Sequence, residues 1–393
     1  MHRPNAHYHP ILKNMATAIL VTVFHSSLAV ASEDEAAREA AREAAQAKAR
    51  VEAAAKAKAA QAALEGWEMG PFVKHPEPVL KPNPESVFDC PIMGKGIRWE
   101  EMNTYNPAAV VKDGKVYLLY RADGRNPECG WGRVCRIGLA TSEDGIHFKR
   151  HPEPVLYPDN DGFKQYEWAG GCEDLHVIEG EDGTYYMNYT THTSRHADKY
   201  QDTMSIATSR DLVNWTKHGP GLLKFNPEKV NGSRSGVVVS RRVGDKLIAA
   251  KIEGKYWMFY THGCVLAWSD DLINWHWAGK VGWPRGAEAG AIALLRDDGI
   301  LLMGQTGAGP LGGWCLWQQL HNRANLSLQP ISGNPILKEQ PEPFLWPERE
   351  WEIKGMTGYT TVSNALVPFK GKWFLYYGAA DTYTGVATCP IRE

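Results

Sequence analysis

The sequence predicts an all-β protein, a five-bladed β-propeller over residues 70–393, and three observations predict it. One phrase recurs at spacings of about 60 to 67 residues: Ser142-Glu-Asp-Gly-Ile-His-Phe148, Ser209-Arg-Asp-Leu-Val-Asn-Trp215 and Ser269-Asp-Asp-Leu-Ile-Asn-Trp275. In each copy the Ser and Asp side chains can close a turn on nearby backbone, and the final aromatic anchors it on the flanking strands. Five strand pairs accompany the phrases, over 108–120, 177–189, 247–260, 291–303 and 365–377. Long helical patterns are absent after residue 70. Radial repetition of four-stranded sheets buries such units. Two stacked β-sandwiches are the competing arrangement, which the repeat period disfavours.

Residues 1–31 read as a signal peptide. Arg3 and Lys13 precede the apolar run Ala16–Phe24, and Ala29-Val-Ala31 offers a small-residue cleavage site. The run is short for a bilayer span, so a periplasmic or secreted protein is expected, with an uncleaved anchor as the alternative. Residues 32–66 are almost all Ala, Glu, Lys, Arg and Gln, with no Gly or Pro before Gly66. Such composition forms helix but lacks apolar heptads. It reads as a solvated spacer, with homo-oligomerisation through this helix as the sharper alternative.

A net charge of −2 over 393 residues gives no basic field and excludes nucleic acid as an expected partner. Fifteen Trp and sixteen Tyr suit sugar recognition as well as β cores. Cys129 and Cys135 flank a Gly-rich loop and can pair in an oxidising compartment. No Cys/His spacing suggests zinc. His192 and His196 read as loop histidines rather than metal ligands. No metal, cofactor or nucleotide-binding loop is implied.

The stretch Ala169-Gly-Gly-Cys-Glu-Asp-Leu-His-Val177 carries the most chemistry. Glu173 and Asp174 open a strand, where successive side chains point to opposite faces. One of them is therefore expected to aim into a cleft as a general acid while the other braces the scaffold; a plain polar strand start is the alternative. Corresponding starts occur at Asn106-Pro, Ser235-Gly, Glu288-Ala-Gly290 and Ser363-Asn364, and polar groups converging on one axis suit a hydroxyl-rich ligand.

Asn106-Pro-Ala-Ala-Val, Leu119-Tyr-Arg-Ala122, Gly171-Cys-Glu-Asp174, Gly183-Thr-Tyr-Tyr and Tyr377-Gly-Ala-Ala-Asp-Thr382 resemble glycoside hydrolase family 130, over about residues 75 to 393. That family holds β-mannoside phosphorylases and some β-mannosidases on a five-bladed propeller. The resemblance implies Asp174 as the general acid, acting in the phosphorylases through a sugar hydroxyl. It implies Arg121 and Asp381 as ligands of the sugar whose bond is cleaved, with Asn106 and Glu173 shaping that subsite. A salt bridge behind the strand is the alternative for Arg121, and a turn cap for Asp381.

Two departures bear on the reaction. The family usually continues Glu-Asp-Pro-Arg where this chain has Leu175-His176. Arg234 and Arg285 fall near the family's phosphate-binding side chains, yet a strand that often ends Tyr-His-Gly reads Leu302-Met-Gly-Gln-Thr-Gly307. Phosphorolysis needs fixed cations for a phosphate dianion. Hydrolysis needs a carboxylate that activates water, for which Glu288 is the candidate, with Glu350 and Glu352 behind it. Export adds weight to water, since a sugar phosphate released outside is lost to metabolism. The expected function is inverting hydrolysis of β-linked manno-oligosaccharides. Phosphorolysis with inorganic phosphate is the alternative, and a non-catalytic glycan-binding propeller a further one. Trp131, Trp168, Trp314 and Trp346 are candidates for outer sugar subsites.

Overall fold

The computed structural model describes residues 39–193, 202–261, 265–280, 288–307, 313–323, 336–339 and 342–392, apart from 54, 57 and 60–62. The signal-peptide residues 1–31, Arg285, Cys264 and His196 lie outside them. Two compact units are distinguished, residues 1–55 and 56–393. In the first, residues 39–53 form a helix exposed along almost its whole length, as Ala, Glu, Arg and Lys dictate. Among the described residues no helix is long and apolar enough to cross a membrane.

The second unit is built from antiparallel β-sheets. The first sheet pairs Asn103–Lys112, Lys115–Arg125, Arg133–Ser142 and Lys149–Arg150. A second pairs Ala169–Glu179, Tyr185–Thr193, Asp202–Ser209 and Thr216–Pro220. The third pairs Arg234–Val243, Lys255–Thr261, Val265–Ser269 and Trp275–Lys280. In the fourth are Glu288–Arg296, Gly299–Thr306, Cys315–His321 and Ile336–Glu339. The last sheet holds Thr361–Phe369, Lys372–Ala379 and Tyr383–Pro390, and Val73–Lys74 adds its fourth strand.

The third unit corrects the expected pairing over 247–260. The chain turns at Gly244 (φ 61°) and again at Gly254 (φ 77°). Lys255–Thr261 therefore returns along the first half of Arg234–Val243, Lys246–Ala249 pairs with the end of that strand and, at Ile248, with Glu179, and the expected hairpin is reduced to Lys251–Ile252 against Lys255–Tyr256.

Apolar residues join consecutive sheets. Val177 and Met187 pack with Ala108 and Leu119, Val238 and Met258 with Met204 and Ile206, and Ala293 and Leu302 with Val239 and Phe259. Leu366 and Leu375 pack with Ala291 and Leu301. Val367 and Phe374 then pack with Ala109 and Leu118, joining the last sheet to the first. Each such side chain contributes about 1.5–3 kcal/mol by leaving water, so closure rests on distributed burial. The strand Ala169–Glu179 is buried at every position, which explains its nearly continuous apolar run after Asp174.

The recurring phrases form the expected turns. Backbone N–H groups of Gly145, Leu212 and Leu272 donate to Ser142, Ser209 and Ser269 Oγ at 2.8, 2.8 and 2.9 Å. Asp144, Asp211 and Asp271 Oδ1 each accept two further backbone N–H groups. The fourth position, Gly145, Leu212 or Leu272, is left-handed in every copy (φ 80°, 70° and 64°). Each turn links the third and fourth strands of its sheet. The last sheet needs none, because Val73–Lys74 arrives from the other end of the chain.

Cys129 and Cys135 are both buried and unpaired. The thiol of Cys135 faces Glu173 Oε2 at 3.6 Å instead, because its strand carries it towards the acidic pair.

Candidate active site

The first strand of each sheet carries a register shift: between Tyr105 and Ala108, Glu173 and His176, Arg234 and Gly236, Ala289 and Ile292, and Val362 and Ala365. Bulges of this kind insert unpaired residues and re-aim side chains. Asn106, Asp174 and Ser235 sit at three of them with left-handed backbone (φ 43°, 47° and 33°). Asn106 and Asp174 lie within their strands rather than at the openings, whereas Glu288 opens Glu288–Arg296 as expected.

The bulge overturns the alternation expected at Glu173 and Asp174. Both carboxylates face the same two guanidinium groups. Asp174 Oδ1 accepts from Asn106 Nδ2 at 2.8 Å and from Arg121 Nη1 at 3.0 Å, while Oδ2 accepts from Arg234 Nη2 at 2.8 Å. Glu173 accepts from Arg234 Nη2 at 2.8 Å and lies 2.8 Å from Arg121 Nη1. A regular strand would have sent the two acids apart.

The scaffold behind them is polar and closed. Arg121 Nε donates to Asp123 Oδ1 at 3.2 Å, and the guanidinium lies 4.5 Å from the Tyr105 ring centre. Asp123 Oδ2 accepts from Asn103 and Tyr105 and faces Arg133 at 3.2 Å. Arg121 is thus both a strand salt bridge and part of the cleft wall.

One cleft is lined by Asn106, Arg121, Glu173, Asp174, Arg234, Glu288 and Asp381, together with Trp131, Gln305 and Trp314. Asn106, Arg121, Glu173, Asp174, Arg234, Glu288 and Asp381, all proposed from the sequence, therefore reach one site, whereas Glu350 and Glu352 do not. Asp381 sits at φ 49° on the turn after Lys372–Ala379. Arg234 is not an open cation: besides the two acids it faces Asp202 at 3.5 Å. Among the outer candidates, Trp131 and Trp314 line the cleft. Trp346 is buried, and Trp168 donates to Glu128 instead. Glu352 is buried under Lys74 and Tyr377, and Glu350 pairs with Lys354 on the surface; their loop carries both away from the cleft.

Electrostatics separate the carboxyl groups. Burial alone would raise the Asp174 carboxyl, but the charges of Arg121 and Arg234 outweigh it and hold it down at about 2. Burial raises Glu288, only partly opposed by Arg234, and Gln305 Nε2 approaches it at 3.5 Å. Burial likewise raises Asp381. His176, at the family's arginine position, is buried with Nδ1 lacking a hydrogen-bond partner, and burial lowers it to about 4. It supplies no charge at neutral pH. Tyr105, Asp123 and Gln305 are assigned no site role from the sequence, although the first two neighbour Asn106 and Arg121 on their own strands.

Carboxyl groups with separated proton affinities, facing arginines in a cleft, define the equipment of an enzyme that cleaves glycosidic bonds. The chain belongs to glycoside hydrolase family 130, whose sequence model, described as β-1,4-mannooligosaccharide phosphorylase, matches residues 74–285. A 1,2-β-oligomannan phosphorylase of Thermoanaerobacter sp. (strain X514) is 28% identical over 324 residues, covering 81% of this chain and 96% of that protein. A β-1,2-mannobiose phosphorylase of the same organism is 30% identical over 307 residues, covering 74% and 90%. One solved structure, described as showing that this family of mannoside phosphorylases contains glycoside hydrolases targeting β-1,2 mannosidic linkages in Candida mannan, matches with a TM-score of 0.76. It is 33% identical and covers 84% of this chain and 96% of its own. A glycosyl hydrolase structure from Bacteroides ovatus matches with a TM-score of 0.74 at 34% identity, covering 84% and 97%.

Proposed function

We propose that this protein cleaves β-mannosidic bonds with inversion, β-1,2-linked manno-oligosaccharides first among them, at the centre of a five-bladed β-propeller whose blades are the five sheets. The observation that carries the reading is Asp174. It sits on the second sheet at a left-handed bulge and is held by side chains of the first and third. Three sheets converge on one carboxylate, and the cost of burying its charge is offset by Arg121, Arg234 and Asn106 rather than avoided.

Asp174 is ionised in the free protein. A sugar hydroxyl that takes the place of Arg234 or Arg121 removes an opposing positive charge, so the carboxyl binds a proton more readily. Burial raises Glu288, on another sheet of the same cleft, so of the two it is the carboxyl that binds a proton more readily and the proposed source of the acid's proton. Passing it to Asp174 gives the acid that protonates the leaving oxygen and leaves Glu288 as the base that activates the acceptor. The total number of protons does not change.

Water is the acceptor favoured by charge, because every arginine among the described lining residues already faces a carboxylate. Phosphorolysis is the second reading. By the names of the two sequence relatives it is the better supported one, and those names weigh against the preference for water drawn from the sequence. In that reading Arg234 and Arg285 hold phosphate. Incubating β-1,2-mannobiose with and without inorganic phosphate decides between them. Mannose formed at equal rates in both supports hydrolysis, and phosphate-dependent release of mannose 1-phosphate overturns it. No cleavage in either removes the enzymatic reading. The signal-like residues 1–31 support export of the protein, with the helix as spacer; fractionation of the producing cell tests this.

A further inference from the structure

Beside the acidic pair lies an aromatic feature that the reaction does not use. Trp131, on the loop between Lys115–Arg125 and Arg133–Ser142, stacks on His192 with ring centres 3.8 Å apart and planes 3° from parallel. His192 Nδ1 lies 2.5 Å from Asp202 Oδ1, and the ring is buried. It rests against Gly170, where a Cβ would come within 2.2 Å of its Cδ2. The guanidinium of Arg133 lies 5.5 Å from the Trp131 ring. Trp131 is thus a flat indole braced from behind, half-exposed, on the wall of the cleft.

Its position within the cleft decides what it meets. Arg121, Glu173 and Asp174 are buried on the floor, where the sugar to be cleaved sits if Asp174 is the acid. The next sugar lies nearer the opening, where Trp131 and Trp314 are half-exposed rings; of these two, Trp131 is the one backed by a parallel His192 ring. A rigid aromatic face binds the apolar face of a pyranose at little cost in side-chain entropy.

We propose that Trp131, braced by His192, is the stacking platform for the leaving-side sugar, and that His192 is a positioning residue for it. The Asp202 carboxylate that orients His192 also faces Arg234 at 3.5 Å, so the brace is anchored to the group that holds Asp174. The inference rests on the β-mannoside reading above.

The test uses the full chain carrying Asp174→Asn, so that sugars bind without turnover, and measures mannose and β-1,2-mannobiose by calorimetric titration. Adding Trp131→Ala is expected to weaken mannobiose about tenfold and leave mannose unchanged, while Trp131→Phe recovers part of the loss. His192→Ala should reproduce the disaccharide-specific loss, which a general packing defect would not, since that weakens both sugars together. Equal effects on mannose and mannobiose, or none on either, overturn the platform while leaving the β-mannoside reading intact. Absence of binding by both sugars before Trp131 is changed overturns the two together.

Discussion

The separated carboxyl groups give a sharp kinetic prediction. In the proposed reaction, cleavage needs Asp174 protonated and Glu288 ionised, whereas the charges around them favour the reverse in the free protein. Asp174 is held at about 2 and Glu288 stands above its ordinary 4.5. A single proton shared by the two therefore favours Glu288, because two guanidinium groups oppose it on Asp174. The productive form, with that proton on Asp174, is the minority form in the free protein. The ratio of the two forms is independent of pH while the single proton is present. As pH rises through the Glu288 pKa that proton is lost, and kcat/KM must fall. The alkaline limb therefore belongs to Glu288, the base, and not to Asp174, the acid. The assay is kcat/KM for β-1,2-mannobiose from about pH 4 to 9, in the wild type and in Glu288→Gln. The wild type should decline towards high pH. Glu288→Gln should lose about a hundredfold or more in rate, and its remaining activity should lack that limb. A flat wild-type profile, or a limb that persists unchanged in the variant, refutes the assignment.

Other predictions follow from single contacts. Asp174→Asn should lower kcat by about 10²–10⁴ while the fold persists, read by steady-state kinetics beside a thermal melt. Gly378→Ala should lower activity, since a Cβ there would come within 2.2 Å of Asn106 Oδ1 and 2.8 Å of its backbone nitrogen and push Asn106 off Asp174; mannobiose cleavage should drop and Tm should fall with it, because backbone must shift. His176 and His321 are lowered by burial to about 4 from 6.5, so the unfolded chain takes up protons that the folded one refuses. Their stabilising effect is complete above about pH 6.5 and is lost as pH falls towards 4, at up to about 3 kcal/mol each. Urea unfolding at pH 7 and 4.5 should show the loss, and His176→Gln should reduce it. Asp211→Ala removes two backbone acceptor contacts from a surface turn and should cost about 1 kcal/mol, with mannoside cleavage unchanged.

Much of the architecture was legible because it is written locally. The Ser-x-Asp turns are set by side chains two and three residues apart, and the strand pairs by Gly-centred turns, so both are visible in a linear reading. The last sheet was legible only as a hairpin, because its edge strand Val73–Lys74 joins Thr388 and Ala387 from some three hundred residues away. The third pairing was misread for a similar reason: Leu247–Tyr260 resembles a hairpin, but Arg234–Val243 competes for Lys255–Thr261 and wins. The expected split between Glu173 and Asp174 failed because alternation presumes a regular strand.

The sequence by itself determined the repeating β units, the family, and most of the acids, amides and arginines that line the cleft, because turn chemistry and motif identity are carried by near neighbours along the chain; it could not separate Glu288 from Glu350 and Glu352. Only the tertiary structure decided how those groups meet. Bulges set by packing between strands turn Asp174 beside Glu173, commit Arg234 to carboxylates, and separate the proton affinities of Asp174 and Glu288. Those are consequences of distance, burial and charge in three dimensions, and none has a counterpart in residue order.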